Sequence, residues 1–530
     1  MTGEIWPMLL WLIAPALLHA QVGPVQVWPD LNRPEQAPLF RELTVEHRQS
    51  LKLAQAEANE SPAERVIPQP VRPLPGALDA VPVFNSNSPE LVAEPGILLS
   101  TFPPEGMATP EAHLDFPFEG RFDVFAHHVY KAADYDSDTP VLLDSMYLGV
   151  VVHNPGSTPV SVRVLTAASY LSQPDAPFVP LPSFVPFSPR NPVFAGPGSR
   201  AMGDILQGKR SDIFPALMEI APGESALLMN QPISIRELEP PINGRSTLVH
   251  LESSGPVYVA SLAQPVGLDE QGVEVPPSLE SWQTLLQQGA LAGPRDREPV
   301  PLPLEDGVQL IYGRVAGVSQ GSEWQATLTD AVETTDSAES EPAENEPAES
   351  EPANSTSENS SAADQLTIPA AGEAFSYGIS LLYAGTMGTG QVQTAPMLVR
   401  YPDTAYQAHG NYGVRYSLTL PLHNPTGTEQ TVEVALQTAI KEDELSEGGL
   451  RFFEEEAPQT FFRGPVQVRY QSDRNLPVVR NIHLVQKRGQ PGEALATVTI
   501  APQSSRTVSV DLLYPADSTP PQVLTVRTAR

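Results

Sequence analysis

The chain has 530 residues, no cysteine and a formal charge of −32, which excludes disulfides, thiol catalysis and thiolate metal sites and argues against binding nucleic acid or anionic lipid. Its 41% hydrophobic content is enough for two or three cored domains. Proline, at 58 residues about twice its usual share, favours short strands and punctuated loops over long helices.

Taken in chain order, the first element is the apolar run Trp6-Pro-Met-Leu-Leu-Trp-Leu-Ile-Ala-Pro-Ala-Leu-Leu-His-Ala20, which has signal-peptide length and ends in a small residue. It predicts export with cleavage near Ala20, although Glu4 and the lack of Lys or Arg ahead of it depart from the usual basic start. No later run reaches the ~18 continuous apolar residues of a membrane helix. Residues 21–70 are polar and poorly patterned and read as a linker; the folded body is expected to begin at Val71. Asp123-Val-Phe-Ala-His-His-Val-Tyr130 alternates as a strand does.

One phrase then occurs twice. Leu148-Gly-Val-Val-Val-His-Asn-Pro-Gly-Ser-Thr-Pro-Val-Ser-Val-Arg-Val returns as Leu418-Thr-Leu-Pro-Leu-His-Asn-Pro-Thr-Gly-Thr-Glu-Gln-Thr-Val-Glu-Val, two apolar-patterned runs around a His-Asn-Pro turn, which predicts a duplicated β-hairpin. A second echo follows each copy, Met218-Glu-Ile-Ala-Pro and Val498-Thr-Ile-Ala-Pro. The order is the same and the spacing nearly so, which predicts a duplicated β domain with Asn154 and Asn424 at equivalent turns, and with any extra length of the second copy looped out near 441–449. Ser199 is expected to cap a short helix over 200–208. Pro277, Ser278 and Gly289 bracket another over 279–288, with Trp282, Leu285 and Leu286 on one face.

From 327 to 366 the composition changes. Glu-Pro-Ala recurs from Glu341, Glu346 and Glu351, and no Lys or Arg lies between Arg314 and Arg400. The segment reads as a self-repelling, disordered acidic insert, either a linker between domains or a loop expanded within the second. The expected architecture is therefore mostly β: a first immunoglobulin-like sandwich over 71–326 and a second over 367–530, with short helices.

Several longer phrases resemble the cyanobacterial proteins defined by domain of unknown function 3370: Val81-Pro-Val-Phe-Asn-Ser-Asn-Ser-Pro-Glu-Leu, Gly96-Ile-Leu-Leu-Ser-Thr-Phe-Pro-Pro, Gly120-Arg-Phe-Asp-Val-Phe-Ala-His-His, Ala195-Gly-Pro-Gly-Ser-Arg, Tyr401-Pro-Asp-Thr-Ala-Tyr-Gln-Ala-His-Gly-Asn-Tyr-Gly and Pro520-Pro-Gln-Val-Leu-Thr-Val. The resemblance spans roughly 66–530, interrupted by the acidic insert, and implies an exported cyanobacterial protein. It supplies no catalytic or binding residues.

Candidate chemistry is sparse. Gly317-Val-Ser-Gln-Gly321 fits the hydrolase G-x-S-x-G spacing, but the strand–elbow–helix context that would expose the serine is missing, so a glycine-bracketed turn is expected. Asp134, Asp136 and Asp138 space three carboxylates like a calcium loop, yet Thr139 stands where the EF-hand glycine belongs and Ser145 where its bidentate glutamate does. His127 and His128 adjoin on a strand and face opposite ways; His153 and His423 precede the repeated Asn-Pro as structural residues. Tyr401, Tyr406, His409, Tyr412, Arg415 and Tyr416 form the richest aromatic cluster and the candidate recognition surface for a polysaccharide or an envelope protein. The expected function is that of an exported, non-catalytic interaction module of the envelope or extracellular space, with no cofactor beyond possible calcium. The alternative is a carbohydrate-active hydrolase drawing paired carboxylates from Asp115, Glu119 and Asp123.

Overall fold

The two strands around each His-Asn-Pro turn do not pair as the expected hairpin: in both copies they enter opposite sheets, because their alternating apolar faces pack against each other across the core rather than side by side. The computed structural model describes residues 63–132, 145–305, 307–331 and 364–530. Among these are 28 strands and two α-helices of ten residues each, so the chain is mostly β.

In the first body one sheet runs in the order Leu217–Ile220, Val160–Leu171, Ile242–Pro265, Phe118–Lys131, and continues into the parallel strands Pro82–Ser86 and Leu91–Val92. The facing sheet contains Ser225–Ile233, Met146–His153, Ile242–Pro265 again, and Gly96–Ser100. The 24-residue strand Ile242–Pro265 serves both sheets because its pairing breaks between Ser253 and Val257, where Gly255 and Pro256 interrupt the ladder. Leu148, Val150 and Val152 meet Val160, Val162 and Val164 in the shared core. The other face of Met146–His153 is buried too, beneath the helix Leu279–Gln288, which explains why that strand reads as a nearly continuous apolar run. The helix forms where it is expected: Ser278 Oγ accepts the Ser281 N–H at 3.1 Å, and Gly289 N–H donates to Leu285 O at 2.7 Å. Its Trp282 lies flat over Gly149, where a Cβ would sit 2.5 Å from the indole.

The second body repeats the first sheet strand for strand: Val71–Arg72, Ala374–Ile379, Gln522–Thr528, Gln430–Gln437, Ala494–Ile500, with the same kind of parallel edge strand. Its facing sheet holds Glu323–Thr327 and Leu366–Thr367, then Arg415–Asn424, Ser504–Leu513, Thr460–Gln471, Pro477–Lys487 and Phe184–Phe187. Val432, Val434 and Leu436 are fully buried against Leu418, Leu420 and Leu422, each worth about 1.5–3 kcal/mol of transfer free energy.

The equivalence of the copies extends to single atoms. Asn154 and Asn424 are both buried; Asn154 Nδ2 donates to Thr158 O at 2.8 Å and Ile220 O at 2.9 Å, and Asn424 Nδ2 donates to Thr428 O at 2.8 Å and Ile500 O at 2.9 Å. The neighbouring His153 and His423 bond Ser225 and Ser505 at 3.1 and 3.0 Å. Ile220 and Ile500 are the isoleucines of the second echo, so the two repeated phrases are halves of one hydrogen-bonded motif.

Between the two phrases the copies diverge throughout, not only near 441–449. The first carries Phe184–Phe187 and the helix Pro197–Leu206; the second carries Gly449–Phe453, Thr460–Gln471 and Pro477–Lys487. That helix starts three residues before the expected 200, with Gly196 as its cap and Ser199 inside its first turn.

The expected boundaries also shift, because each half lends elements to the other. Glu64–Pro68, inside the expected linker, pairs with Gly449–Phe453, and Val71–Arg72 edges the second body. Phe184–Phe187 pairs with Pro477–Lys487, while Ala395–Arg400 joins the first body through Ala316–Gln320. Pro62–Arg530 accordingly forms one compact unit. Residues 332–363 of the acidic segment lie outside the described residues; on either side of them Glu323–Thr327 and Leu366–Thr367 both pair with Arg415–Asn424 of the second body, and Asp330 N–H donates to Gln365 O at 2.8 Å.

Candidate functional site

The aromatic cluster does not form an open surface. Tyr401 is fully buried in the first body's core, its hydroxyl donating to Ala112 O at 2.7 Å and accepting Ser100 N–H at 3.0 Å. Tyr416 is fully buried in the second core, accepting from Asn411 Nδ2 at 2.9 Å. Tyr412 lies between the two bodies, with Phe125 and Tyr514 on its ring, and burial pushes its hydroxyl up to about 12. His409 stacks on Tyr312 at 4.9 Å between centroids; burial, aided by Arg314, lowers it to about 4. Arg415 bonds Asp511 at 2.7 Å. Tyr406 is the exposed ring of the six, with the Arg400 guanidinium 3.9 Å above it. The alternation Tyr412-Gly-Val-Arg-Tyr-Ser-Leu buries the rings because both bodies close over this segment.

Asp134, Asp136 and Asp138 lie outside the described residues. Ser319 sits mid-strand in Ala316–Gln320 and is buried, with Gly321 at φ +124° ending the strand, so the G-x-S-x-G spacing builds neither an elbow nor the expected turn over its length. Of the candidate acids, Glu119 and Asp123 share the strand Phe118–Lys131, whose ladder is interrupted at Gly120, at φ +69°. Asp123 is buried against Arg121 and Ser322, and Asp115 accepts from Tyr258 Oη at 3.4 Å.

Seven of the eight described histidines bond a serine or threonine hydroxyl: His113, His127, His128, His153, His250, His423 and His483. In none does a carboxylate come within hydrogen-bond distance of the other ring nitrogen; the nearest, Glu90 at His127 and Asp123 at His250, are 3.8 Å away. A base needs that third group to orient it. The pair with the most catalytic composition is His483 Nε2 and Ser199 Oγ, 3.2 Å apart beside Asp517. Both are buried, Ser199 Oγ donates to Gly196 O at 3.2 Å, and Asp517 bonds the serine's N–H instead of the imidazole. With the serine proton directed at Gly196, His483 serves as donor, and burial lowers it to about 4.

An open concavity lies elsewhere. A shallow depression of about 600 Å³ runs along the helix Leu279–Gln288, lined by Gln264, Ser278, Glu280, Ser281, Thr284, Leu285, Gln288 and Gly289. It contains one carboxylate and no ring. Gln264 and Ser278 bracket a hairpin formed by Gly267–Leu268 and Glu274–Val275, on which Leu268, Val273 and Val275 are about half exposed. No pattern distinguished these residues in the sequence, because an apolar hairpin reads the same whether it is covered or open. Among the described residues no helix is long and apolar enough to cross a membrane.

With the geometry in place, comparison with known families is decisive on one point. The family model described as "Protein of unknown function (DUF3370)" matches residues 69–344 and 352–528. The chain belongs to the DUF3370 family. The match runs through both bodies of this DUF3370 protein, in keeping with their interlocking. No curated protein sequence matches it. Among solved structures, procruciferin, an 11S globulin from Brassica napus, aligns at 9% identity over 83% of this chain and 85% of that one, with a TM-score of 0.08, and carries no argument.

Proposed function

We propose that this protein is an exported, non-catalytic interaction module of the envelope or extracellular space, built on two immunoglobulin-like sandwiches, and that its partner is a protein. The observation that carries this is the depression along Leu279–Gln288: a concavity without paired acids, beside three exposed apolar side chains on one hairpin. Exposed apolar side chains next to amide and hydroxyl groups are the composition of a protein interface. Sugar binding usually recruits exposed rings, and Tyr406 and Phe178 are the exposed aromatics among the described residues, neither of them lining the depression. The apolar run ending at Ala20 supports export.

The test compares the mature protein with a Leu268→Ser, Val273→Ser, Val275→Ser variant for binding to protein and polysaccharide fractions of the host envelope. Binding to protein that the variant loses at unchanged melting temperature is expected. Binding to polysaccharide alone, or hydrolysis of a glycoside or ester panel, would overturn the reading. Intact-mass analysis of material from the native host, expected to begin near Gln21, tests export independently.

A further inference from the structure

Three aspartates are buried in the described structure, Asp123, Asp511 and Asp517. Asp123 is held by Arg121, and Asp511 by Arg415 and Arg469 at 2.7 and 2.6 Å. Asp517 has no cationic nitrogen within ion-pair distance among the described residues. It reaches from the C-terminal segment to the first turn of the helix Pro197–Leu206, where its Oδ2 accepts the Ser199 N–H at 3.1 Å. Gly196 and Gly198 leave room for it: a Cβ at either would lie 2.5 or 2.8 Å from Oδ2.

That helix is the wedge between the two bodies. It packs on Val160–Leu171 and Ile242–Pro265 on one side and on Thr460–Gln471 and Ser504–Leu513 on the other. The groups facing Asp517 are the helix N-terminus, Arg463 from Thr460–Gln471, and Tyr412, with the Phe178 ring against Gly196. His483 from Pro477–Lys487 touches the same Ser199 but stays neutral above about pH 4.

We propose that Asp517 is a proton-operated latch between the halves: protonated, it lets the seam around this helix close dry, and ionised, it loosens the seam. A buried carboxylate without a paired cation loses its hydration with little in return. Burial, opposed by the Ser199 N–H, Arg463 and the Gly198 N–H, raises the carboxyl from 3.8 to about 6. The folded chain therefore holds this proton roughly 150-fold more tightly than the unfolded one. The corresponding stability is present below about pH 4, is lost as pH rises to about 6, and changes no further above that.

Hydrogen exchange over 197–206 and 460–471, normalised to intrinsic rates, should show wild-type protection falling at least tenfold between pH 5 and pH 7.5. Asp517→Asn should keep one level of protection at both. A variant with the wild-type pH dependence, or a wild type with none, would overturn the latch. Should Asp517→Asn not fold, infrared spectra in an Asp296→Asn background decide the matter, since burial raises the Asp296 carboxyl as well. A protonated-carboxyl band present at pH 5 and gone by pH 8 is expected, and its absence at pH 5 overturns the proposal.

Discussion

Replacing Asn154 or Asn424 by alanine probes the duplication where the two copies match most closely. Asn154 satisfies three backbone groups: Thr158 O, Ile220 O and Gly156 N–H, the last at 2.9 Å. Asn424 satisfies the equivalent Thr428 O, Ile500 O and Thr426 N–H, and makes a further contact to Ala501 O at 3.2 Å. An orphaned buried polar group costs about 1–3 kcal/mol. Ile220 O and Ile500 O lie in buried contacts, whereas the turn groups reach water more easily. Each substitution should therefore cost about 2–4 kcal/mol, read as a lowered urea midpoint at unchanged slope. Asn→Asp at either site should cost more, because it aims a carboxylate at two carbonyl oxygens. The reasoning is refuted if either alanine costs less than about 0.5 kcal/mol, or if the two sites differ by more than about 2 kcal/mol, since equivalent networks should yield comparable losses.

Three further outcomes follow from the packing. Deleting 332–363 and joining Ala331 to Asp364 should leave the melting temperature within a few degrees or raise it, because Asp330 and Gln365 are already bonded and a shorter loop loses up to about 2 kcal/mol of closure entropy; a collapse in calorimetry would show the segment to be structural. Gly149→Ala should destabilise by about 1–3 kcal/mol, as the new methyl must displace the Trp282 indole, and an unchanged urea midpoint would contradict that packing. Tyr401→Phe should cost about 1–3 kcal/mol by leaving Ala112 O and Ser100 N–H unpaired, and should leave partner binding unaltered; lost binding at full stability would restore Tyr401 to a recognition role.

What could be read from the sequence was local. Ser278 and Gly289 delimit their helix by capping, the alternation of Val160, Val162 and Val164 marks a core face, and the Asn-Pro turns identify themselves by repetition. The exchanges between halves are non-local: nothing in Phe184-Val-Pro-Phe187 announces pairing with residues some three hundred positions away. Tyr401, Tyr412 and Tyr416 carry the residue types of a binding face because a Tyr whose hydroxyl finds a backbone partner suits a buried seam equally well. The hairpin Gly267–Val275 carries no such signal for the converse reason, since exposure of Leu268, Val273 and Val275 depends on what the rest of the chain leaves uncovered.

The most direct test of the proposed function is a photoreactive side chain placed at Leu268 in the full-length protein, expressed in the native host and irradiated in intact cells, with Leu165, exposed on the first body's sheet, as control. A discrete protein adduct from position 268 but not from 165, carried on a chain that begins near Gln21, is expected. Equal labelling from both positions, or adducts on a chain retaining residues 1–20 inside the cytoplasm, would contradict the reading of an exported module that binds a protein through this hairpin.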